Sequence, residues 1–172
     1  MLIALLGLLA GCVTKTPLVG TDVNPINGAR TDVTPMMLTS AGQLREVVYL
    51  NAYREIAPKT GTRYLLEVKY VAPAEVGYLE IPPGQTLTIL ADGQPIKLDG
   101  TGTLNTRVGF RKENMDFVSE TAQYRASRLD MQKMGFARQI KVQIKGNKGL
   151  IERDFNPENF EKIRAFVTQA VL

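Results

Sequence analysis

Side chains that could do chemistry are few in this chain of 172 residues, and the most distinctive is Cys12, the only cysteine. The sequence contains no histidine, which excludes every histidine-based triad, zinc site and general base. A single cysteine also excludes an intramolecular disulfide and CxxC chemistry. Ser127 and Lys133 could form a dyad, but six residues apart on a helix they would not face each other.

Carboxylates are the other candidates for chemistry. The chain has 17 Asp and Glu residues, enough to supply a carboxylate pair for glycoside hydrolysis. It has no tryptophan, however, that could stack against a sugar ring. It also lacks a Walker loop, a dinucleotide fingerprint and a D-x-D-x-D-G calcium loop. We therefore expect a protein that is not an enzyme, with no metal site and no cofactor.

The residues before Cys12 predict export. Residues 1–11 are apolar and uncharged and end in small residues, which is typical of a secretory signal peptide. The run is shorter than the roughly 20 residues that a membrane-spanning helix needs. The last four positions, Leu9-Ala10-Gly11-Cys12, resemble the lipobox of bacterial lipoproteins.

This resemblance implies that signal peptidase II cuts before Cys12. The cysteine would then carry a diacylglyceryl group and an acylated amine, with fatty-acyl chains such as palmitate holding the protein on a membrane. Val13 in place of Asp implies, by the same resemblance, sorting to the periplasmic face of the outer membrane. The alternative is a buried N-terminal strand or helix in which Cys12 is an ordinary core residue.

A linker is predicted between the anchor and the folded domain. Residues 12–42 are rich in Thr, Pro, Gly, Asn and Asp and show no clear apolar periodicity. Three prolines in this segment argue against a continuous helix. We expect a lipidated N-terminus and a flexible tether, which could reach about 100 Å when fully extended.

The predicted tether contains a short repeat, T-D-V-x-P, at 21–25 and again at 31–35. Each copy could be an extended strip that adds to the sheet edge of a partner protein. The alternative is a solvated linker with a chance repetition. The predicted partner-binding residues are Thr21, Asp22, Val23, Pro25, Thr31, Asp32, Val33 and Pro35.

Residues 43–172 predict a β-rich periplasmic domain. Apolar and polar residues alternate in most of this region, as in strands with one buried face. Asp92-Gly93 separates two such runs and indicates a tight hairpin, because both residues tolerate positive φ. From Leu104 to Phe110 the alternation places Leu104, Thr106, Val108 and Phe110 on one face.

Two helices are predicted near the C-terminus. The first lies near 127–135, with Ser127 and Asp130 spaced as a capping box and Gly135 at the end. The second is amphipathic and lies near 157–171, because Asn156-Pro157 is a good helix start. The predicted fold is therefore α+β and β-dominated, an antiparallel β-sandwich or a small barrel with these two helices.

Positive charge is concentrated in residues 101–150, which contain ten Lys and Arg residues but four Asp and Glu residues. A field of one sign can recruit anions, here anionic lipid or peptidoglycan. Nucleic acid is excluded as a partner by the predicted location and by the scarcity of aromatic residues among the cations. The alternative is that outward lysines guard strands against aggregation. The predicted anion-binding residues are Arg138, Lys141, Lys145 and Lys148.

Together these features predict a non-catalytic outer-membrane lipoprotein. Its role would be structural, as an interaction component of a cell-envelope assembly such as a secretion system or a pilus. The membrane, through the acyl chains, and other envelope proteins would be its partners. The alternative is a periplasmic module that binds lipid or glycan in a cavity of the β domain.

Overall fold

The computed structural model describes residues 17–38 and 46–172. The predicted signal peptide and Cys12 lie outside the described residues. Ten strands and two helices make up the described chain. The strands are β1 (Gly20–Val23), β2 (Arg30–Leu38), β3 (Val47–Ala57), β4 (Gly61–Pro73), β5 (Gly84–Ala91), β6 (Gln94–Gly100), β7 (Val108–Lys112), β8 (Met115–Ala126), β9 (Ile140–Gly146) and β10 (Gly149–Asp154). The helices are α1 (Arg128–Phe136) and α2 (Pro157–Ala170).

All described strands belong to one antiparallel sheet in the order β1-β2-β3-β4-β8-β6-β5-β9-β10. Strand β7 is outside this order and pairs with the first residues of β8. The β-dominated α+β fold predicted from the sequence is confirmed. Within the part of the chain that the structure describes, a single register pair, Gly100 and Tyr124, joins the two halves of the sheet where β6 meets β8.

The sheet bends over a single core. Residues on the inner faces of β2, β3, β4 and β8 belong to the same buried cluster as those of β5, β6 and β9. Glu46, just before β3, forms an ion pair of 2.7 Å with Arg153 of β10, so the far end of the sheet folds back toward its beginning. The end strands β1 and β10 are not paired with each other within the described residues.

Helix α1 begins with the predicted capping box. The Ser127 hydroxyl accepts from the backbone N–H of Asp130, and the Asp130 carboxylate accepts from the backbone N–H of Ser127. The prediction that Gly135 ends this helix is wrong, because α1 continues to Phe136. Gly135 instead lies against α2, where an added Cβ would come within 2.7 Å of Val167 Cγ2.

Helix α2 starts as predicted, with Asn156 as N-cap and Pro157 in the first turn. Its apolar face packs on β2 and α1. The Asn159 amide donates to the carbonyl of Met37 at 3.0 Å and fixes the start of α2 to the end of β2.

The expectation of a flexible tether is wrong for residues 20–23 and 30–38, which form β1 and β2. Strand β2 is fully paired with β3, and its inward residues Met36 and Leu38 are in the core. Burial of these side chains stabilises a segment whose Thr, Asp and Pro content is typical of linkers. The folded part of the chain thus includes residues well before position 43.

The hairpin predicted at Asp92-Gly93 is confirmed, with φ values of 49° and 79°. The strand expected from Leu104 begins only at Val108. Residues before Val108 form a loop fixed by the Thr103 hydroxyl, which donates to the carboxylate of Glu120 at 2.6 Å. This bond anchors a loop whose residues do not themselves belong to the sheet.

Candidate interaction surfaces

The two copies of the T-D-V-x-P repeat form a hairpin with each other. Thr21 lies opposite Asp32 and Asp22 lies opposite Thr31 in the β1–β2 register. The Thr21 hydroxyl donates to Asp32 Oδ1 at 2.6 Å. The sequence repetition therefore pairs the hydroxyl of one copy with the carboxylate of the other.

The second copy of the repeat has no free edge. Thr31, Asp32 and Val33 are paired with β1 on one side and with β3 on the other, and Pro35 lies opposite Asn51 of β3. Thr31, Asp32 and Val33 therefore cannot add to the sheet of another protein, and Pro35, which is paired on one side only, has no backbone N–H to donate. Addition to the sheet edge of a partner protein therefore stays a prediction for the first copy of the repeat, residues 21–25.

The first copy lies on an edge strand. All four residues of β1 are exposed, as is Pro25 in the turn that follows. The backbone N–H of Asn24 bonds to the carbonyl of Ala29, and alternation along an antiparallel strand then directs the N–H and C=O groups of Thr21 and Val23 away from β2. No other described strand pairs with these groups, so within residues 17–38 and 46–172 they form an open edge that can accept a further strand.

Asp32 is a buried carboxylate beneath this hairpin, with 1% of its side chain exposed. It accepts from Thr21 and forms ion pairs with Arg54 at 2.5 Å and Arg30 at 2.9 Å. Burial raises the pKa of Asp32, but the hydrogen bonds from Thr21, Arg30 and Arg54 and the charge of Arg54 outweigh it and hold the pKa below its usual value. The carboxylate therefore stays charged and fixes β1 to the domain.

Glu120 is a second buried carboxylate, and it holds two loops. It accepts from the backbone N–H groups of Leu79 and Glu80 and from the Thr103 hydroxyl. Arg107 Nε lies 3.9 Å from Glu120 Oε2, and its guanidinium sits over the ring of Tyr78. Both carboxylate oxygens of Glu120 thus accept hydrogen bonds from loop residues.

Two of the four predicted anion-binding residues lie beside carboxylates. Lys141 points outward from β9 but lies opposite Asp154 of β10. Lys148 lies 3.9 Å from a carboxylate oxygen of Glu80, and Lys145, also exposed on β9, lies opposite Leu150. The count of charges over residues 101–150 did not include Asp154, the β10 carboxylate that lies opposite Lys141.

Arg138 is brought close to Lys141 in an open groove of about 500 Å³. Asp154, Phe155 and Phe160 also line this groove. The backbone N–H of Arg138 is bonded to Asp92 at 2.9 Å. Anion binding at these positions stays a prediction.

A second groove, of about 600 Å³, lies between the start of β4, the end of β8 and the start of α1. Arg63, Arg125, Arg128 and Tyr64 line it together with threonine and serine hydroxyls. Two of these cations already have partners, because Arg63 is paired with Glu55 and Arg128 donates to the carbonyl of Val171 at 2.8 Å. Sequence reasoning missed this groove because its cations come from three separate elements.

An exposed apolar surface occupies one end of the sheet, and we call it the apolar end. Six large hydrophobic side chains on it are between 36% and 57% exposed. They are Met37, Val47, Val76, Val108, Phe110 and Met115. The rings of Phe110 and Phe117 stack there at 5.5 Å. The alternation predicted that Val108 and Phe110 share one face of a strand, and the structure shows that β7 is exposed along its whole length.

The dyad of Ser127 and Lys133 does not form, because the Ser127 hydroxyl donates to Asp130 at 2.7 Å within the helix cap. Within residues 17–38 and 46–172, His, Cys, Asp and Glu side chains form no group of three that could hold a metal. Neither α1 nor α2 has the length and apolar character needed to cross a membrane.

Comparison with family models, curated proteins and solved structures finds no match for this chain.

Proposed function

We propose that the chain is a non-catalytic outer-membrane lipoprotein, anchored through Cys12, that serves as an interaction component of a cell-envelope assembly. The observation that supports an interaction role is the open edge of β1. Its N–H and C=O groups at Thr21 and Val23 point away from β2, and its side chains are exposed. A partner strand added there would satisfy these groups by the same hydrogen bonds that join β1 to β2.

Anchoring supports the same role. A protein held on a membrane explores only a thin layer, which raises its effective concentration for partners in that layer. A four-residue edge such as β1 offers few hydrogen bonds, so binding through it gains from this local concentration. The proposal therefore joins a short docking edge to an N-terminal anchor.

A proline substitution tests the edge. Val23→Pro removes an N–H that faces away from β2 and leaves the bonds between β1 and β2 in place. The matched control is Glu152→Pro on β10, the other end strand of the sheet, where residue 152 also directs its N–H outward. Crosslinking in intact cells, followed by pull-down of each variant, measures the amount of partner recovered.

We expect V23P to lose most of the crosslinked partner and E152P to retain it. Urea unfolding of both variants checks that their stabilities match. If the unsubstituted protein is recovered without a partner, or if V23P captures as much partner as E152P, binding through β1 is excluded.

One observation favours the alternative, a glycan-binding module. The groove of about 600 Å³ between β4, β8 and α1 carries Arg125 and Tyr64 beside several hydroxyls. Such a surface suits an anionic sugar chain, and its open shape does not enclose an acyl chain. Sedimentation with purified peptidoglycan distinguishes the functions: Arg125→Ala should reduce binding under the alternative and have no effect on partner capture through β1.

A further inference from the structure

The path of the chain before β1 determines which part of the domain faces the anchor. The Thr34 hydroxyl donates to the carbonyl of Leu18 at 2.7 Å, and Val19 is buried. Residues 18 and 19 are thus already fixed to β2 before β1 begins. Because Gly20 lies opposite Val33, the chain before it continues along β2 toward Met37.

The distance from this point to Cys12 is short. Six residue steps separate Cys12 from Leu18, and a fully extended chain covers at most about 3.6 Å per step, or about 20 Å in total. Acylation at Cys12, which the proposed function assumes, would therefore hold Leu18, and with it the neighbouring Met37 end of the sheet, close to the membrane, with Leu18 itself within about 20 Å of Cys12.

The apolar end is the same end of the sheet. Leu38 lies opposite Val48 and Val47 lies opposite Val71 in the register. Val108 lies opposite Ser119, which itself faces Val71. The β7–β8 hairpin extends this end further, and the carbonyl of Asp116 accepts from the N–H of Ala74 in the loop that carries Val76.

The composition of the apolar end suits a lipid surface. Phe110 and Met115 are exposed on the hairpin, the exposed Lys112 lies opposite Met115, and Glu113 follows in the turn. The nearby Arg111 is neutralised by Asp116 at 2.9 Å. Apolar side chains enter the boundary between headgroups and acyl chains, and neighbouring lysines are attracted to anionic headgroups.

We propose that the apolar end lies on the bilayer that holds the acyl chains, so that the domain is oriented by a second membrane contact. The inference rests on the proposed function, because it needs the anchor at Cys12. The several acyl chains proposed on Cys12 already give durable membrane binding, so the contact of the apolar end has only to orient the domain. In this orientation the β1–β2 turn, with Ile26 94% exposed, lies at the opposite end and faces away from the membrane.

A single-tryptophan experiment tests the orientation, since the chain contains no tryptophan. Phe110→Trp places a fluorophore on the apolar end, and Ile26→Trp is the matched control at the opposite end. Each variant is isolated from membranes, its intact mass is measured, and it is reconstituted into vesicles of phosphatidylethanolamine and phosphatidylglycerol. Brominated lipid in the same vesicles then quenches tryptophan that reaches the acyl boundary.

With the acyl group present by mass, we expect F110W to lose about half of its emission, because a side chain at this boundary lies about 5–10 Å deep. I26W should lose little. Equal quenching of the two variants, or quenching of neither, in an acylated sample overturns the orientation and leaves the lipoprotein proposal intact. An unacylated mass overturns both. Quenching of neither together with a doubled mass in sedimentation would show that a second copy covers the apolar end.

Discussion

Asp32 and Arg54 connect the N-terminal hairpin to the last helix. Arg54 Nη2 lies 2.5 Å from Asp32 Oδ2, and Arg54 Nη1 donates to the carbonyl of Ala170 at 2.8 Å. One guanidinium therefore binds a carboxylate of β2 and the C-terminal end of α2. Helix ends carry carbonyls without intrahelical partners, and a cation placed there is favourable.

Asp32→Asn should destabilise the domain by about 3 kcal/mol, because it leaves the charge of a largely buried Arg54 without its partner. The free energy of unfolding in urea measures the loss. The control is Asp116→Asn, whose carboxylate pairs with Arg111 on the surface with both side chains at least 60% exposed. That substitution should cost less than about 1 kcal/mol. Equal losses of unfolding free energy in the two variants would show that burial of Asp32 does not strengthen the contribution of its ion pairs to stability.

The lowered pKa of Asp32 predicts how this contribution depends on pH. The folded-state pKa is below the unfolded value of about 3.9, so the unfolded chain takes up a proton first as the pH falls. The stabilisation by Asp32 is therefore complete above about pH 4 and is lost as the pH falls through the folded pKa. The difference in stability between the unsubstituted protein and D32N should shrink in acid. A difference that grows below pH 4 would have the wrong sign for this account.

Gly100→Ala should destabilise the protein by about 1–3 kcal/mol. An added Cβ would overlap the ring of Tyr124, which is fully buried and shares a hydrogen bond of 2.9 Å with Thr86. The matched control is Gly109→Ala in β7, where the nearest atom to the new Cβ would be 3.9 Å away. This control should change stability by no more than about 0.5 kcal/mol. Thermal or urea unfolding of the pair measures the difference, and equal values would mean that the two halves of the sheet can separate at this point without cost.

Glu120→Gln should loosen the segment before β5. An amide cannot accept with both ends, so it leaves the N–H groups of Leu79 and Glu80 or the Thr103 hydroxyl without a good acceptor. We expect a loss of about 1–3 kcal/mol and faster hydrogen exchange at Leu79 and Glu80. Glu80→Gln is the control, because its side chain is partly exposed and faces Lys148. Unchanged exchange in E120Q would show that Glu120 does not hold this segment.

The elements that were predicted correctly from the sequence are determined by residues close to them in the chain. Ser127 with Asp130, and Asn156 with Pro157, satisfy the first N–H groups of their own helices, so a few neighbouring residues determine each start. The Asp92-Gly93 hairpin is local in the same way, because it depends on φ angles that these two residue types tolerate.

The features that the sequence predicted poorly depend on distant partners. Strand β2 forms because β3 lies beside it and the core takes up Met36, which composition between 12 and 42 cannot show. Gly135 was expected to end α1, but it is needed where Val167 of another helix comes close. The charge sum over 101–150 likewise gave no information on Asp154, which lies opposite Lys141 on the next strand.

The proposed function depends most directly on the chemical state of Cys12. Intact-mass analysis of the protein isolated from its native membranes measures that state. We predict a chain that begins at Cys12 and carries the added mass of a diacylglyceryl group and an amide-linked acyl chain, and we predict that Cys12→Ser moves the protein from the membrane to the soluble fraction. A chain that retains residues 1–11 and has an unmodified thiol would contradict the lipoprotein assignment and the orientation on the membrane derived from it.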